Sequence, residues 1–210
     1  MTPPKTRTAL VIGTGALAAV LTIAAAYFAG RPQPLTLPTQ GRPAVGRADA
    51  PTLVIFEDYK CPACQAFTQE TLPGLEARAR AGEVRLVFMH RPFLAPDSRA
   101  AAIAAECVWR TRPEAFLTFH KALYAAQGDE RVPWATAPLL SRVARGAGAG
   151  GPAWPRCLNS PAAAAAVDAD NAAFLRGKAR YTPAFYLGGN LIVRPSVAGI
   201  NRAIDQARTP

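Results

Sequence analysis

Leu53-Val54-Ile55-Phe56-Glu57-Asp58-Tyr59-Lys60-Cys61-Pro62-Ala63-Cys64 decides the reading of this chain. Four consecutive apolar residues, two of them β-branched, describe a strand covered on both faces, running from Thr52 to Glu57 or Asp58 at the centre of a sheet. Pro62 then suits the first position of a helix, where its missing N–H would have had no partner anyway. Two residues between the cysteines, on that first turn, let both sulfurs close a small disulfide while Cys61 stays reachable by another thiol. The pattern points to thiol–disulfide exchange, against the competing readings of a structural staple or half of a zinc site.

Outward from this stretch, Phe67, Leu72 and Leu75 carry the helix to about Ala81, with Pro73-Gly74 kinking or dividing it. Gly82 stops it, and Val84 to Met89 gives a second strand that closes a strand–helix–strand unit. Helical patterns then fill Ser98–Trp109, Pro113–Gln127, Pro133 or Trp134 to Val143, and Pro161–Arg176, an inserted helical lobe over about residues 98–176. Strand character returns at Ala184–Leu187, turns at Gly188-Gly189-Asn190 and resumes at Leu191–Val193 as a hairpin. Ser196 caps a last helix to about Ala207. The folded domain is thus expected over residues 52–210.

Toward the amino terminus, Arg31 to Pro51 is rich in Pro, Gly, Thr and Arg and reads as a semi-extended linker. Thr8 to Gly30 holds no charge, follows Lys5 and Arg7, and is long enough to cross about 30 Å of hydrocarbon. Residues 1–30 are therefore read as a signal-anchor, with a cleaved signal peptide as the alternative because Ala24-Ala25-Ala26 resembles a cleavage site. An even set of four cysteines behind such a segment suits an oxidising compartment. That places the domain in the cell envelope, outside the cytoplasm, or as a released protein if the segment is removed.

With 50% apolar residues in 210, the chain supplies one genuine core. The net charge of +10 leaves 22 basic against 14 acidic residues from Arg31 onward. These arginines are scattered singly, without basic runs or aromatic interleaving, so a solvated basic surface is read and nucleic-acid binding is not. Cys107 and Cys157 lie 50 residues apart, on a predicted helix and in the loop after the Gly-rich segment. A structural disulfide is the leading reading for them, and a four-cysteine zinc site or a second redox relay the alternatives. No metal and no cofactor are expected. His90 at a strand end and His120 on an amphipathic helix are read as packing residues ahead of active-site ones.

Gly46-Arg47-Ala48-Asp49-Ala50-Pro51 followed by Val54 to Cys64 resembles the DsbA-like thiol:disulfide oxidoreductases of the thioredoxin superfamily. Val84 to Pro92 looks like that family's second strand, Phe116 to Gln127 like a helix of its lobe, and Tyr181-Thr182-Pro183-Ala184-Phe185-Tyr186 like its cis-proline segment. The resemblance covers about residues 46–208. It implies an α/β thioredoxin fold with an inserted helical lobe, preceded by a transmembrane or signal segment. Cys61 would be the attacking cysteine and Cys64 the resolving one, with a cis peptide before Pro183 facing them. Pro62, Ala63, Thr182 and Pro183 would face substrate. Many relatives carry a buried acid six residues before the attacking cysteine; Ile55 stands there, with Glu57 and Asp58 nearer the motif.

The function implied is donation of the Cys61–Cys64 disulfide to exported cysteine-containing proteins through a mixed disulfide at Cys61. A membrane quinone-linked thiol oxidase would reoxidise the protein, which would act as a monomer held at the membrane by residues 1–30. The same cysteines run backwards make a reductase or isomerase. A membrane-tethered binding or chaperone module with an inert cysteine pair is the reading from another class.

Overall fold

The computed structural model describes residues 20–22 and 34–208. The signal or anchor segment read over residues 1–30 lies outside the described residues apart from Val20 to Thr22, which are helical and exposed. Among the described residues no helix is long and apolar enough to cross a membrane. Met1–Pro34 and Leu35–Pro210 are separate units, and the second carries everything described below.

Five strands form one sheet: β1 (Ala44–Val45), β2 (Thr52–Glu57), β3 (Arg85–His90), β4 (Ala184–Leu187) and β5 (Asn190–Leu191), in the order β1-β3-β2-β4-β5. β2 and β3 are parallel, as the helical connection between them requires, and the other pairs are antiparallel. Alternation along β2 divides the core. Leu53 and Ile55 join Leu86, Phe88 and Phe185 on one face, while Val54 and Phe56 join Val87, Met89, Ala184 and Tyr186 on the other. The uninterrupted apolar run is therefore buried on both sides, which is why no polar alternation marks it.

The helices are α1 (Pro62–Glu70), α2 (Leu72–Arg80), α3 (Pro96–Thr111), α4 (Phe116–Ala125), α5 (Ala137–Gly146), α6 (Ala153–Leu158), α7 (Pro161–Arg176) and α8 (Val197–Arg208). α1 and α2 link β2 to β3, and α3 to α7 form the inserted lobe. The division between α1 and α2 falls at Thr71, ahead of the expected Pro73-Gly74. Pro73 lacks an N–H and its ring would collide with the carbonyl four residues earlier, so the old helix ends and Pro73 enters the first turn of the new one. Ser160 and Ser196 cap α7 and α8, their hydroxyls accepting from the N–H groups of Ala162 (3.2 Å) and Gly199 (3.0 Å).

Three segments differ from the sequence expectation. The stretch read as a free linker is laid against the domain from Leu35. The Leu35 N–H bonds Gly189 O at 2.8 Å, Leu35 and Leu37 pack on the Phe56 face, and Ala44–Val45 pairs with β3 as an edge strand. Arg42 closes this seam by pairing with the buried Asp170 of α7. Gly46 adopts φ 101° where the segment crosses the start of β3, and a Cβ there would stand 2.4 Å from Val84 O, so only glycine fits. The helix expected from Pro133 or Trp134 begins only at Ala137, because Asp97 takes the N–H groups of Trp134 (2.9 Å) and Ala135 (3.1 Å) and holds that segment irregular. Cys157 lies on the short helix α6, not in a loop.

Candidate active site

Cys61 occupies the N-cap of α1, in extended conformation, with its N–H bonded to Asp58 O at 2.9 Å. Its carbonyl accepts from the N–H groups of Cys64 and Gln65, both at 3.1 Å, which winds the first turn so that Cys64 returns beneath it. Pro62 and Ala63 point outward and are exposed, whereas Cys64 is fully buried and Cys61 is 8% exposed. Both are free thiols.

The peptide between Thr182 and Pro183 is cis and lies against the motif: Cys61 Sγ donates to Thr182 O at 3.5 Å. The structure thus brings Cys61, Pro62, Ala63, Cys64, Thr182 and Pro183 into one site. A groove of about 350 Å³ opens beside them, lined by Ala63, Phe67, Tyr181, Pro183, Phe185, Val197 and Ile200 and free of charged side chains. Tyr181 and Val197 are exposed on its rim. A larger open depression of about 940 Å³ lies at the far end of the sheet, around Thr52, Leu187 and Arg208, and contains none of these residues.

The two sulfurs have opposed acidities. The Cys64 thiol, by hydrogen bonding to Cys61, brings the Cys61 thiol down from 9.0 to about 6, with the backbone N–H groups of Cys64 and Ala63 adding to the effect and burial opposing it. Burial, then the hydrogen bond and charge of Cys61 and the charge of Glu57, push Cys64 well above 9.0. At neutral pH the outer sulfur is a thiolate and the inner one a thiol, the division that exchange through Cys61 requires.

Beneath the cysteines lies a buried polar layer. Glu57 is 1% exposed and its carboxyl is raised well above 4.5, first by burial and then by the charges of Asp58 and Cys61, with the Tyr124 hydroxyl working against the rise. His120, from α4, places Nδ1 3.2 Å from Glu57 Oε1 and 3.0 Å from the Tyr59 hydroxyl. Burial lowers His120 to about 3, so it is neutral, and the same holds for His90. His90 packs its ring 6.2 Å from Tyr59 and gives its N–H to Asp170. Asp58 is fully occupied elsewhere: it receives the N–H groups of Lys60 (2.9 Å), Phe93 (2.9 Å) and Leu94 (3.1 Å) and so shapes the loop after β3. Of the two acids near the motif, only Glu57 faces the cysteine side.

Several residues that tie the motif to the lobe carry no sequence signature. Gln127 Nε2 donates to Tyr59 O at 2.7 Å and Cys61 O at 3.2 Å, and Gln65 Nε2 donates to Tyr124 O at 2.8 Å. Lys60, wholly buried, donates to both Asp97 oxygens (2.9 and 3.1 Å) and to Val132 O (2.7 Å). Their contacts span 37 to 72 residues, so nothing local marks them; the shared parity of Ile55 and Glu57 on β2 is the one signal that could have singled out Glu57. Cys107 and Cys157 are bonded to one another, with Cα atoms 5.6 Å apart, and join α3 to α6 in the lobe. Among the described residues no group of three or more His, Cys, Asp or Glu is arranged to hold a metal ion.

Comparison with known proteins agrees with this geometry. The profile of the family described as Thioredoxin matches residues 38–206. Disulfide bond formation protein D of Bacillus subtilis (strain 168) is 38% identical over 108 residues, half of this chain and 49% of that protein. The probable disulfide bond formation protein D of Bacillus anthracis is 29% identical over 173 residues, 78% of this chain and 76% of that one. The crystal structure of oxidised BdbD from Bacillus subtilis superposes with a TM-score of 0.75 at 29% identity, covering 83% of this chain and 95% of that chain. The chain belongs to the thioredoxin family, among its DsbA-like thiol:disulfide oxidoreductases.

Proposed function

We propose that the chain is a disulfide donor for exported proteins, acting outside the cytoplasm. A substrate thiolate attacks Cys61 Sγ, the Cys61–Cys64 bond breaks with its electron pair on Cys64, and a mixed disulfide forms. A second substrate thiolate attacks the substrate sulfur of that mixed disulfide, and Cys61 leaves as a thiolate. Two electrons pass from substrate to the cysteine pair, and a membrane quinone-linked thiol oxidase would take them on. Residues 1–30 would hold the domain, acting as a monomer, at the membrane.

The observation that carries this reading is the placement of the two sulfurs, Cys61 at the N-cap of α1 beside the cis Thr182–Pro183 peptide and Cys64 sealed beneath it; the lowered acidity of Cys61 that goes with this favours the reduced form and makes Cys61 a good leaving group. The apolar groove and the Tyr181–Pro183 backbone beside Sγ supply a wall along which an extended, unfolded chain lies. Such a wall suits substrates that are not yet folded.

Oxidative refolding of a reduced, denatured disulfide protein tests the reading. Cys61→Ala abolishes the acceleration; unchanged activity sinks the enzyme reading in favour of an inert binding module. Equilibration with glutathione sets the direction. A potential well above about −200 mV supports a donor, and one near about −270 mV assigns the same cysteines to a reductase.

A further inference from the structure

Cys61 sits on a turn whose carbonyls are held from the inserted lobe. Gln127, two residues past the end of α4, reaches them: its Nε2 donates to Tyr59 O at 2.7 Å and to Cys61 O at 3.2 Å. Both neighbours are backbone oxygens that can only accept, so the nitrogen end of the amide must face them, and each of its two hydrogens finds one partner. The base of the side chain is fixed as well. The Gln127 N–H bonds Tyr124 O at 3.1 Å, and the same carbonyl accepts from Gln65 Nε2 of α1 at 2.8 Å, so the end of α4 and α1 are tied in both directions.

The Cys61 carbonyl has more donors than lone pairs. It offers two lone pairs and receives the N–H groups of Cys64 and Gln65, both at 3.1 Å, together with Gln127 Nε2 at 3.2 Å. Donors that share one acceptor weaken one another. The Cys64 N–H has a second acceptor to turn to, because it and the Ala63 N–H also stabilise the thiolate form of Cys61. The bond from Gln127 therefore loosens the hold of the carbonyl on the Cys64 N–H and leaves that group to the sulfur. Without the amide, the carbonyl takes the Cys64 N–H back, and the Tyr59 carbonyl loses its side-chain donor.

We propose that Gln127 is the positioning residue of Cys61: from the inserted lobe it holds the Tyr59 and Cys61 carbonyls so that the Ala63 and Cys64 N–H groups are left to Cys61 Sγ when that sulfur carries charge. The proposal rests on the exchange reading above and deepens it. Its place in the reaction is the release of the mixed disulfide. A second substrate thiolate attacks the substrate sulfur and forms a substrate disulfide, the bond to Cys61 breaks, and its electron pair goes to Cys61 Sγ. The N–H groups kept free by Gln127 receive that charge as it appears, so the sulfur leaves faster. The titratable groups beside Cys61 are Cys64 on α1 and Glu57 on β2, and a neutral substitution at Gln127 changes the charge of neither.

The experiment titrates Cys61 through the pH dependence of its alkylation in the reduced full chain, and equilibrates the same chains with glutathione, for the native protein, Gln127→Met, Gln127→Lys and Lys121→Met. Q127M keeps the shape and loses the donor; expected are a midpoint raised by about half a unit and an equilibrium moved about threefold toward the oxidised form. Gln127 is half-buried, so the longer chain of Q127K fits, keeps a donor at the carbonyls and is expected at or below the native midpoint. K121M removes a different tie of α4, the Lys121–Glu76 pair at 2.9 Å, and is expected at the native midpoint. A native midpoint in Q127M, with the native chain still speeding oxidative refolding, overturns the proposal and leaves the exchange reading intact. Equal shifts in Q127M and K121M overturn it too, since Gln127 is then a general brace of the lobe. A native chain that does not speed oxidative refolding overturns both. If Q127M does not fold, Gln127→Asn, one methylene too short to hold both carbonyls, decides alone: a native midpoint there refutes the positioning role.

Discussion

Cys61 and Cys64 share one hydrogen bond that drives their acidities apart, lowering the outer sulfur and raising the inner one. The first prediction follows directly. Alkylation of reduced protein titrates Cys61 with a midpoint near pH 6, and Cys64 stays unreactive until well above pH 9. Cys64→Ala removes the largest cause and moves the Cys61 midpoint up by about one unit or more. A Cys61 midpoint unmoved by C64A contradicts the assignment.

Stability of the reduced form follows from the same shift. Because the folded Cys61 thiol lies below its ordinary 9.0, its contribution is fully present above pH 9 and is lost as pH falls through about 6. Between those limits the reduced protein gains roughly 1.4 kcal/mol per pH unit, and the oxidised protein gains nothing from this group. Denaturant titrations of both forms at pH 5, 7 and 8 therefore diverge as pH rises. Parallel curves would show that the thiolate is no better solvated in the fold than in the unfolded chain.

The buried Lys60–Asp97 pair bolts the residue before Cys61 to the irregular segment ahead of α5. Asp97→Asn leaves the Lys60 ammonium buried without its counter-charge and is expected to destabilise the fold by about 3 kcal/mol. Hydrogen exchange in residues 129–136 should rise with it, since Trp134 and Ala135 lose a charged acceptor. Destabilisation without that local opening would separate the pair from the segment.

Of the groove residues, Val197 is exposed and stands on the rim. Val197→Glu puts a charge into an apolar wall, so KM for an unfolded thiol substrate is expected to rise about tenfold with the Cys61 alkylation midpoint unchanged. A KM that stays native removes the groove from substrate binding.

The disulfide between Cys107 and Cys157 closes a separation of 50 residues. Replacing both by Ala is expected to lower stability by up to about 4 kcal/mol through the freed unfolded chain. Dithiothreitol reduction of Cys61–Cys64 should keep its native rate in the double variant, and a slowed rate would mark the second pair as a relay.

The parts legible in sequence are those that rest on local pattern: the apolar run of β2, Pro62 opening α1, the 184–191 hairpin, and the Ser196 cap of α8. β1 escaped because two residues carry no period, and the prolines around it argue against a sheet until Gly46 and Arg42 are seen to seat it. α6 escaped because six residues between Gly150-Gly151-Pro152 and Asn159-Ser160-Pro161 look like loop. The surroundings of Glu57 were not legible either, because they are supplied by His120 and Tyr124, more than sixty residues away in sequence. Contacts of that kind exist only after folding.

The seating of residues 35–51 against the sheet shortens the domain's leash. Composition alone grants that stretch an extended reach of about 50 Å. Once Leu35 is bonded to Gly189 and Arg42 to Asp170, that slack is gone. Any attachment made upstream of Leu35 would therefore give Cys61 a reach shorter by this stretch than composition suggests.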